Sequence, residues 1–169
     1  SCLRNSDIVE IACMAPLVNT RGPLFVHPEG TVKRTTYHVL WMFANLLEKN
    51  VASTFCRGPV LSYRETSSMT VPDHFPWLDG IATCDDRASR FRLLLVNRHP
   101  DDELRCEVSL GGSRISGSCK ATVLSGDSAD AYNDRDRPDH VIPTRTTLTA
   151  SDGRIALAPH SLTVLEIDA

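Results

Sequence analysis

The amino-acid sequence predicts a mainly β fold: a C-terminal antiparallel β-sandwich (jelly roll) preceded by a helix, a strand and a second helix. Hydrophobic spacing is helical in much of residues 1–55 and changes to a period of two from about residue 60. At least five short strands follow, with connections rich in Pro and Asp, which is typical of sandwiches. We predict that residues 1–55 end a (β/α)8 barrel and that residues 56–169 form the sandwich.

The first predicted helix and strand lie before residue 27. Apolar residues at helical spacing from Ile8 to Ala15 predict a short helix, which Ser6-Asp7 caps and Pro16 ends. Residues 17–26 contain an apolar stretch after a Gly-Pro break, which predicts a buried parallel strand. Residues 27–31 are expected to form the loop after that strand.

The second predicted helix covers residues 36–49. Its apolar residues occupy most of the circumference, so it needs cover on several sides. If the rest of a barrel is missing, we expect Leu40, Trp41 and Phe43 to pack on the sandwich, on another chain, or poorly.

The sandwich strands are predicted from alternation and turn residues. Residues 104–110 alternate apolar and polar side chains, as a half-buried strand does. Residues 91–96 form a more continuous apolar run, and the turn residues between the two predict an antiparallel hairpin. A second hairpin is predicted from residues 146–149 and 155–157, joined through Asp152-Gly153. Further strands are expected at residues 119–124 and 162–167.

Composition and charge exclude several classes of protein. The chain has 169 residues, 41% of them hydrophobic and 23% charged, which is ordinary for a folded soluble protein. The formal net charge is −3 and there is no block of Lys and Arg, so nucleic acid is not expected as a partner. No apolar run approaches the roughly 18 residues that cross a bilayer, so no membrane contact is expected.

The six cysteines form no C-x-x-C pair, and the histidines lack the spacing of metal ligands. Cys13 and Cys106 stand in hydrophobic patterns, which favours reduced core thiols in a cytoplasmic protein; the even number keeps disulfides and secretion open. We expect no metal site and no cofactor. The opening residues do not resemble a natural start, so a longer gene product is expected.

Three residues are candidates for contacting a substrate. His27 and Glu29 follow the predicted barrel strand at the end where barrel enzymes place binding groups, although a His-Pro-Glu-Gly loop is also ordinary turn chemistry. Arg34, at the start of the next helix, could bind sugar hydroxyls or could simply meet solvent or a carboxylate. Trp77 and its neighbours offer either an aromatic platform for a sugar ring or a core contact.

Two further features concern catalysis and loops. Carboxylates cluster in predicted turns, where Asp favours local backbone hydrogen bonds, so no catalytic pair is assigned. The polar segment 125–139 is long for a connection in a compact domain; such loops are functional or docked on a neighbour, or else solvated excursions.

Four stretches resemble successive landmarks of the α-L-arabinofuranosidases of glycoside hydrolase family 51. In order they are DIVEIACMAPLVN at residues 7–19, VP through WLDGIA at residues 71–82, LLVNRHP at residues 94–100 and PHSLTVL at residues 159–165. The resemblance covers nearly the whole chain, but none of these stretches is a catalytic motif.

The resemblance implies a retaining, exo-acting hydrolase that releases terminal α-L-arabinofuranosyl groups from arabinan, arabinoxylan or their oligosaccharides. Retention needs two carboxyl groups roughly 5–5.5 Å apart. In the family both are glutamates on earlier barrel strands, before residue 1 here, so this chain alone is expected to be inactive and mainly structural. The family also implies the rest of the catalytic barrel as a partner and a homo-oligomer, often a hexamer.

One stretch departs from the family pattern. Many relatives carry Trp-Arg-Gln-Thr after the last barrel strand, with the Gln reaching the sugar, whereas this chain has Val-Lys-Arg-Thr-Thr at residues 32–36. Either Arg34 or Thr35 takes the place of the Gln, so the contact is not carried over. The alternative function is a non-catalytic carbohydrate-binding or oligomer-assembly module.

Overall fold

The computed structural model describes residues 2–62 and 74–168, and this part of the chain is mainly β with one α-helix. The sequence landmark at residues 71–72 lies outside it. The elements are a 3-10 helix (Leu3–Asn5), α1 (Thr35–Leu46), and the strands β1 (Leu24–His27), β2 (Gly30–Lys33), β3 (Asn50–Ala52), β4 (Val60–Ser62), β5 (His74–Pro76), β6 (Leu78–Cys84), β7 (Arg90–Asn97), β8 (Leu104–Glu107), β9 (Ser109–Leu110), β10 (Ser113–Arg114), β11 (Gly117–Leu124), β12 (Thr144–Ala150), β13 (Arg154–Leu157) and β14 (Ser161–Asp168).

A six-stranded antiparallel sheet organises the molecule, with the strand order β12-β11-β14-β7-β6-β3. Its centre is the β7–β14 pair, which runs in register from Asn97 opposite Ser161 to Arg90 opposite Asp168. Central strands covered on both faces carry apolar side chains on both sides. This explains why apolar residues prevail at residues 91–96, where Arg92 is the one charged exception, and the strands expected there and at residues 162–167 are confirmed.

One face of this sheet is covered by the β8–β13 pair. Cys106 of β8 and the buried side chains of Ile155 and Leu157 of β13 pack with Leu95 and Leu165 of the large sheet. Fully burying such a side chain contributes about 1.5–3 kcal/mol. This cluster is therefore the main stabilising core of the described part of the chain.

The opposite face is covered by α1. Met42 is fully buried, and Phe43 packs with it against Leu94 and Val164 of the sheet. Leu40 and Trp41 face away from the sheet, with 41% and 38% of their surface exposed. Of the three helix residues expected to lack cover, Phe43 thus packs on the sandwich while Leu40 and Trp41 stay exposed.

The short helix predicted at Ile8 to Ala15 is wrong, since the regular structure there is limited to the 3-10 helix at Leu3–Asn5. Ile8 and Ile11 are 75% and 81% exposed. A helix of about two turns is marginal in water unless its apolar face is packed. Cys13 is also exposed, so its predicted core position is wrong, whereas Cys106 is buried as predicted.

The buried parallel strand predicted within residues 17–26 is also wrong. Its C-terminal residues form β1, which pairs antiparallel with β2 in a hairpin, and His27 lies opposite Gly30. The only parallel pairing recorded in the described residues near this point is an isolated bridge between Val18 and Leu24. The predicted loop 27–31 therefore contributes residues to both strands.

Both predicted sandwich hairpins are wrong, because their strands pair with other strands. β7 pairs with β6 and β14, while β8 pairs with β13; β12 pairs with β11. The tight turn at Asp152-Gly153 is confirmed, since φ is +50° and +77° at these residues and Ser151 and Arg154 exchange backbone hydrogen bonds. After the turn the two strands diverge. β12 pairs with β11 in the large sheet, whereas β13 pairs with β8 in the layer that covers this sheet.

Candidate functional site

The β1–β2 hairpin brings two of the three predicted substrate residues to one aromatic ring. His27 stacks on Phe25 with ring centroids 5.5 Å apart, and the guanidinium of Arg34 lies 5.2 Å from the centroid of the same ring. An Arg over an aromatic face is a favourable cation–π arrangement. His27, Phe25 and Arg34 therefore form one small surface, which we call the hairpin cluster.

Arg34 is also a structural anchor. It precedes α1 with extended backbone angles (φ −69°, ψ 166°), and its amide donates to the carbonyl of Pro23 at 2.9 Å. Its Nη1 donates to the carbonyls of Thr20 at 2.8 Å and Gly22 at 3.1 Å. Because guanidinium carries five N–H donors, Nη2 and Nε are the groups left for a ligand in this cluster.

Glu29 points elsewhere. Its carboxylate lies 3.2 Å from Nε of Arg135, while its amide donates to Nδ1 of His27 at 3.3 Å. Both members of the Glu29–Arg135 pair are well exposed. The structure therefore brings His27 and Arg34 together and directs the Glu29 side chain to another segment.

That segment is the long loop, defined here as residues 125–141, and it docks on the hairpin of the same chain. Asn133 is 2% exposed; its Nδ2 donates to the carbonyls of Lys33 at 2.8 Å and Val141 at 2.9 Å. Its Oδ1 accepts from the Val141 amide at 2.6 Å. Sequence reasoning missed Asn133, because an Asn in a polar loop looks like any turn residue; only the loop's length signalled its docking.

Two carboxylates in the sheet region are engaged by cations and amides. Burial alone would raise the pKa of Asp79, but hydrogen bonding and charge from Arg4, with Arg98 adding to them, hold that pKa below its ordinary value. Hydrogen bonds, first from the Arg90 amide and then from Ser89, lower the pKa of Asp85 to about 2. A general acid needs a raised pKa. The pKa of neither Asp79 nor Asp85 is raised, so neither residue fits the role of a general acid.

Trp77 is half-buried and packs edge-on against His99, with ring centroids 4.1 Å apart and an interplanar angle of 73°. Its indole Nε1 is buried and has no hydrogen-bond acceptor among the described residues. The adjacent His74 side chain lies outside the described part. A ring packed on His99 favours the core-contact interpretation of Trp77 over the sugar platform.

An apolar cavity of about 560 Å³ lies between the large sheet and β8. Its lining includes Leu93, Cys56 and Cys106, together with the exposed side chain of Phe55. Burial, with a smaller contribution from Cys56, raises the pKa of the Cys106 thiol to about 11. Such a thiol stays neutral and behaves as an apolar side chain.

The described residues offer neither a metal site nor a helix able to cross a membrane. Residues 2–62 and 74–168 hold no group of three His, Cys, Asp or Glu side chains that could bind a metal ion. Across the same residues, no helix has the length and apolar character needed to span a bilayer.

Comparison with proteins of known structure identifies the fold. The structure resembles α-L-arabinofuranosidases of known structure: one from Thermotoga maritima, in an arabinose complex, matches with a TM-score of 0.84 and 22% identity over 98% of this chain and 35% of that chain. The family 51 enzyme from Thermotoga petrophila matches with a TM-score of 0.82 and 23% identity over 98% of this chain and 35% of that chain. The chain thus has the fold of the corresponding third of these larger structures.

Sequence comparison identifies the family. Residues 1–161 match the model of the α-L-arabinofuranosidase C-terminal domain. The chain is 30% identical over 159 residues to an intracellular exo-α-(1→5)-L-arabinofuranosidase of Streptomyces lividans, covering 92% of this chain and 23% of that protein. This chain belongs to the α-L-arabinofuranosidase C-terminal domain family. It spans about a quarter of the length of the Streptomyces relative.

Proposed function

We propose that this chain is the C-terminal, mainly structural part of a retaining α-L-arabinofuranosidase that releases terminal α-L-arabinofuranosyl residues from arabinan or arabinoxylan. The family match over residues 1–161 carries the proposal. The activity named for the Streptomyces relative, exo-α-(1→5)-L-arabinofuranosidase, supports the substrate class. Since this chain covers 23% of that relative, most of the enzyme corresponds to sequence outside it.

The two catalytic glutamates belong, in this proposal, to the preceding barrel. A retaining hydrolase needs a nucleophile and an acid/base roughly 5–5.5 Å apart. The lowered pKa values of Asp79 and Asp85 make them poor candidates for the acid. Residues 1–55 would complete the barrel and residues 56–169 would form a jelly roll against it, with β3 (Asn50–Ala52) joining the edge of the large sheet from the barrel side.

The proposed substrate contact of this chain is the hairpin cluster. The free guanidinium nitrogens of Arg34 and the ring of His27 can donate or accept hydrogen bonds with sugar hydroxyls, and Phe25 supplies an apolar surface between them. Glu29 is the weaker member of the predicted set, because Arg135 already pairs with its carboxylate.

The remainder of the barrel is the proposed partner of the N-terminal segment. Several large apolar side chains within residues 2–47 are exposed, and exposed apolar side chains of this kind are suited to an interface. We expect the preceding barrel residues to cover them, and identical chains to assemble into an oligomer. The side chains concerned are Ile8, Ile11, Met14, Leu17, Val18, Val26, Leu40 and Trp41.

A cytoplasmic location is also proposed. The Streptomyces relative is described as intracellular, and all six cysteines of this chain are free thiols. Free thiols persist in reducing compartments.

The test is hydrolysis of p-nitrophenyl α-L-arabinofuranoside. We expect no turnover by the 169-residue chain and clear turnover by a longer polypeptide that also carries the preceding barrel residues. Retention is checked by following the anomeric configuration of the first-formed arabinose by NMR. Turnover by the chain alone would contradict the placing of the catalytic pair outside it.

A further inference from the structure

We propose that Asn133 is a positioning residue for the sugar site: it fixes the β1–β2 hairpin and Arg34 on the sandwich and thereby sets the affinity for substrate. The inference rests on the proposed function of the hairpin cluster. Asn133 and Lys33 are 100 residues apart in sequence, yet one buried side-chain amide joins them.

The amide of Asn133 is fully used. Its two N–H groups reach the carbonyls of Lys33 and Val141, and its oxygen accepts from the Val141 amide. A buried polar group that loses its partner keeps the cost of its desolvation. These hydrogen bonds therefore hold the long loop against the hairpin, with Nδ2 of Asn133 2.8 Å from the carbonyl oxygen of Lys33.

The bonded carbonyl belongs to the peptide group that leads into Arg34. The carbonyl of Lys33 and the N–H of Arg34 lie in one rigid plane. Asn133 holds one side of this plane, and the carbonyl of Pro23 accepts from the other side at 2.9 Å. A peptide fixed at both edges cannot rotate freely, so the Cα of Arg34 is fixed with it, and the Nη1 bonds to Thr20 and Gly22 then orient the side chain.

The other end of this connection is anchored in the core. Val141, which bonds twice to Asn133, is buried in the cluster between α1 and the large sheet. The second link between loop and hairpin, the Glu29–Arg135 ion pair, is exposed on both sides, and exposed ion pairs contribute little. The Cα of Arg34 is therefore tied to the sandwich on two sides: α1 begins directly after it, and Asn133 is the buried link from the long loop to the hairpin side.

The decisive variant is Asn133→Asp, which keeps the acceptor for the Val141 amide and loses both N–H donors. Asn97→Asp is the matched control: Asn97 is also buried and donates to carbonyls of Asp102, Leu157 and Ala158, none of which belongs to the hairpin. In the 169-residue chain, hydrogen exchange is measured at the Arg34 amide and, for reference, at the Arg98 amide.

We expect Asn133→Asp to speed exchange at Arg34 about tenfold more than at Arg98, and Asn97→Asp to show no such preference for Arg34. In the longer polypeptide we expect Asn133→Asp to raise KM for p-nitrophenyl α-L-arabinofuranoside about fivefold or more with kcat within about twofold, because uniform binding is lost. Asn97→Asp should leave KM unchanged. If Asn133→Asp does not fold, Asn133→Ser replaces it with the same expectations.

Equal acceleration at Arg34 and Arg98 would overturn the inference, as would a selective acceleration at Arg34 with an unchanged KM. Absence of hydrolysis by the wild-type longer polypeptide would instead contradict the proposed function, so the two failures are distinguishable.

Discussion

The sandwich and the N-terminal segment differ in where their apolar side chains are buried. In the sandwich, Leu165 and Leu157 pack between the large sheet and β13 within this chain. In the N-terminal segment, Ile8 and Ile11 project into solvent. The contrast teaches that, in the described residues, the two β layers bury their apolar side chains against each other, whereas the N-terminal segment leaves exposed the side chains that the proposed barrel contact would cover.

The helix α1 shows both characters at once. Met42 is buried against the large sheet, while Trp41, the next residue back along the helix, is 38% exposed. One side of the helix therefore belongs to the sandwich core, and the opposite apolar side is available to a partner.

The largest expected effect is in the sandwich core. Leu165→Ala removes a fully buried side chain and is expected to lower the free energy of unfolding of this chain by about 2–5 kcal/mol, through lost burial and a residual cavity. Ile11→Ala, its control in the exposed segment, is expected to change that free energy by less than about 0.5 kcal/mol. Urea denaturation measures both, and similar losses for the two variants would remove the contrast.

An intermediate effect is expected where Arg4 joins the N-terminal segment to β6. The pKa of Asp79 is lowered in the folded state, so its ionised form contributes stability that is present above the unfolded pKa and is lost as pH falls through the folded pKa. Asp79→Asn should flatten the loss of stability on acidification below about pH 4. The measurement is the denaturation midpoint of both proteins as a function of pH. If Asp79→Asn loses stability on acidification as steeply as the wild type, Asp79 makes no such contribution.

A smaller effect is expected at His38 on α1. Burial, and then the charge of Lys33, lower the pKa of His38, although Asp139 opposes them. The neutral ring is thus favoured in the folded state, so stability is complete above the ordinary pKa of about 6.5 and falls as pH drops below it. His38→Gln should reduce this slope below about pH 6.5. A slope equal to that of the wild type would assign it to another group.

The smallest effect is expected on adding sugar to this chain. Trp41→Phe leaves Trp77 as the reporting indole, since the chain has two Trp residues. A structural sandwich should give no saturable change in Trp77 fluorescence with arabino-oligosaccharides. A saturable response would favour the alternative, a carbohydrate-binding module.

The sequence predicted strands well and their partners poorly. The central strand β7 carries an apolar run from Leu93 to Val96, and β14 is rich in apolar residues. Both were predictable, because so many apolar side chains in a short segment indicate a buried strand. The Asp152-Gly153 turn was predictable because it depends on two local backbone angles. Which strand pairs with β8 depends instead on how the two layers share the core, and no local pattern contains that information.

The candidate site was predictable in part. The sequence placed His27 and Arg34 near each other along the chain, and the structure adds Phe25 as the ring that joins them. Which side of α1 is exposed was not predictable. Its apolar residues occupy most of the circumference, so their pattern does not distinguish the side that packs on the sheet from the side that does not. Asn133 was missed because its bond to Lys33 spans 100 residues.

The most direct test of the account replaces Ile8 and Ile11 together by Ser in two backgrounds. In the 169-residue chain, where both side chains are exposed, the thermal midpoint should stay within about 1 °C. In the longer polypeptide with the preceding barrel residues, the midpoint should fall by several degrees, about 2–4 °C for each kcal/mol lost. An equal change in the two backgrounds would contradict the claim that the catalytic part covers this segment.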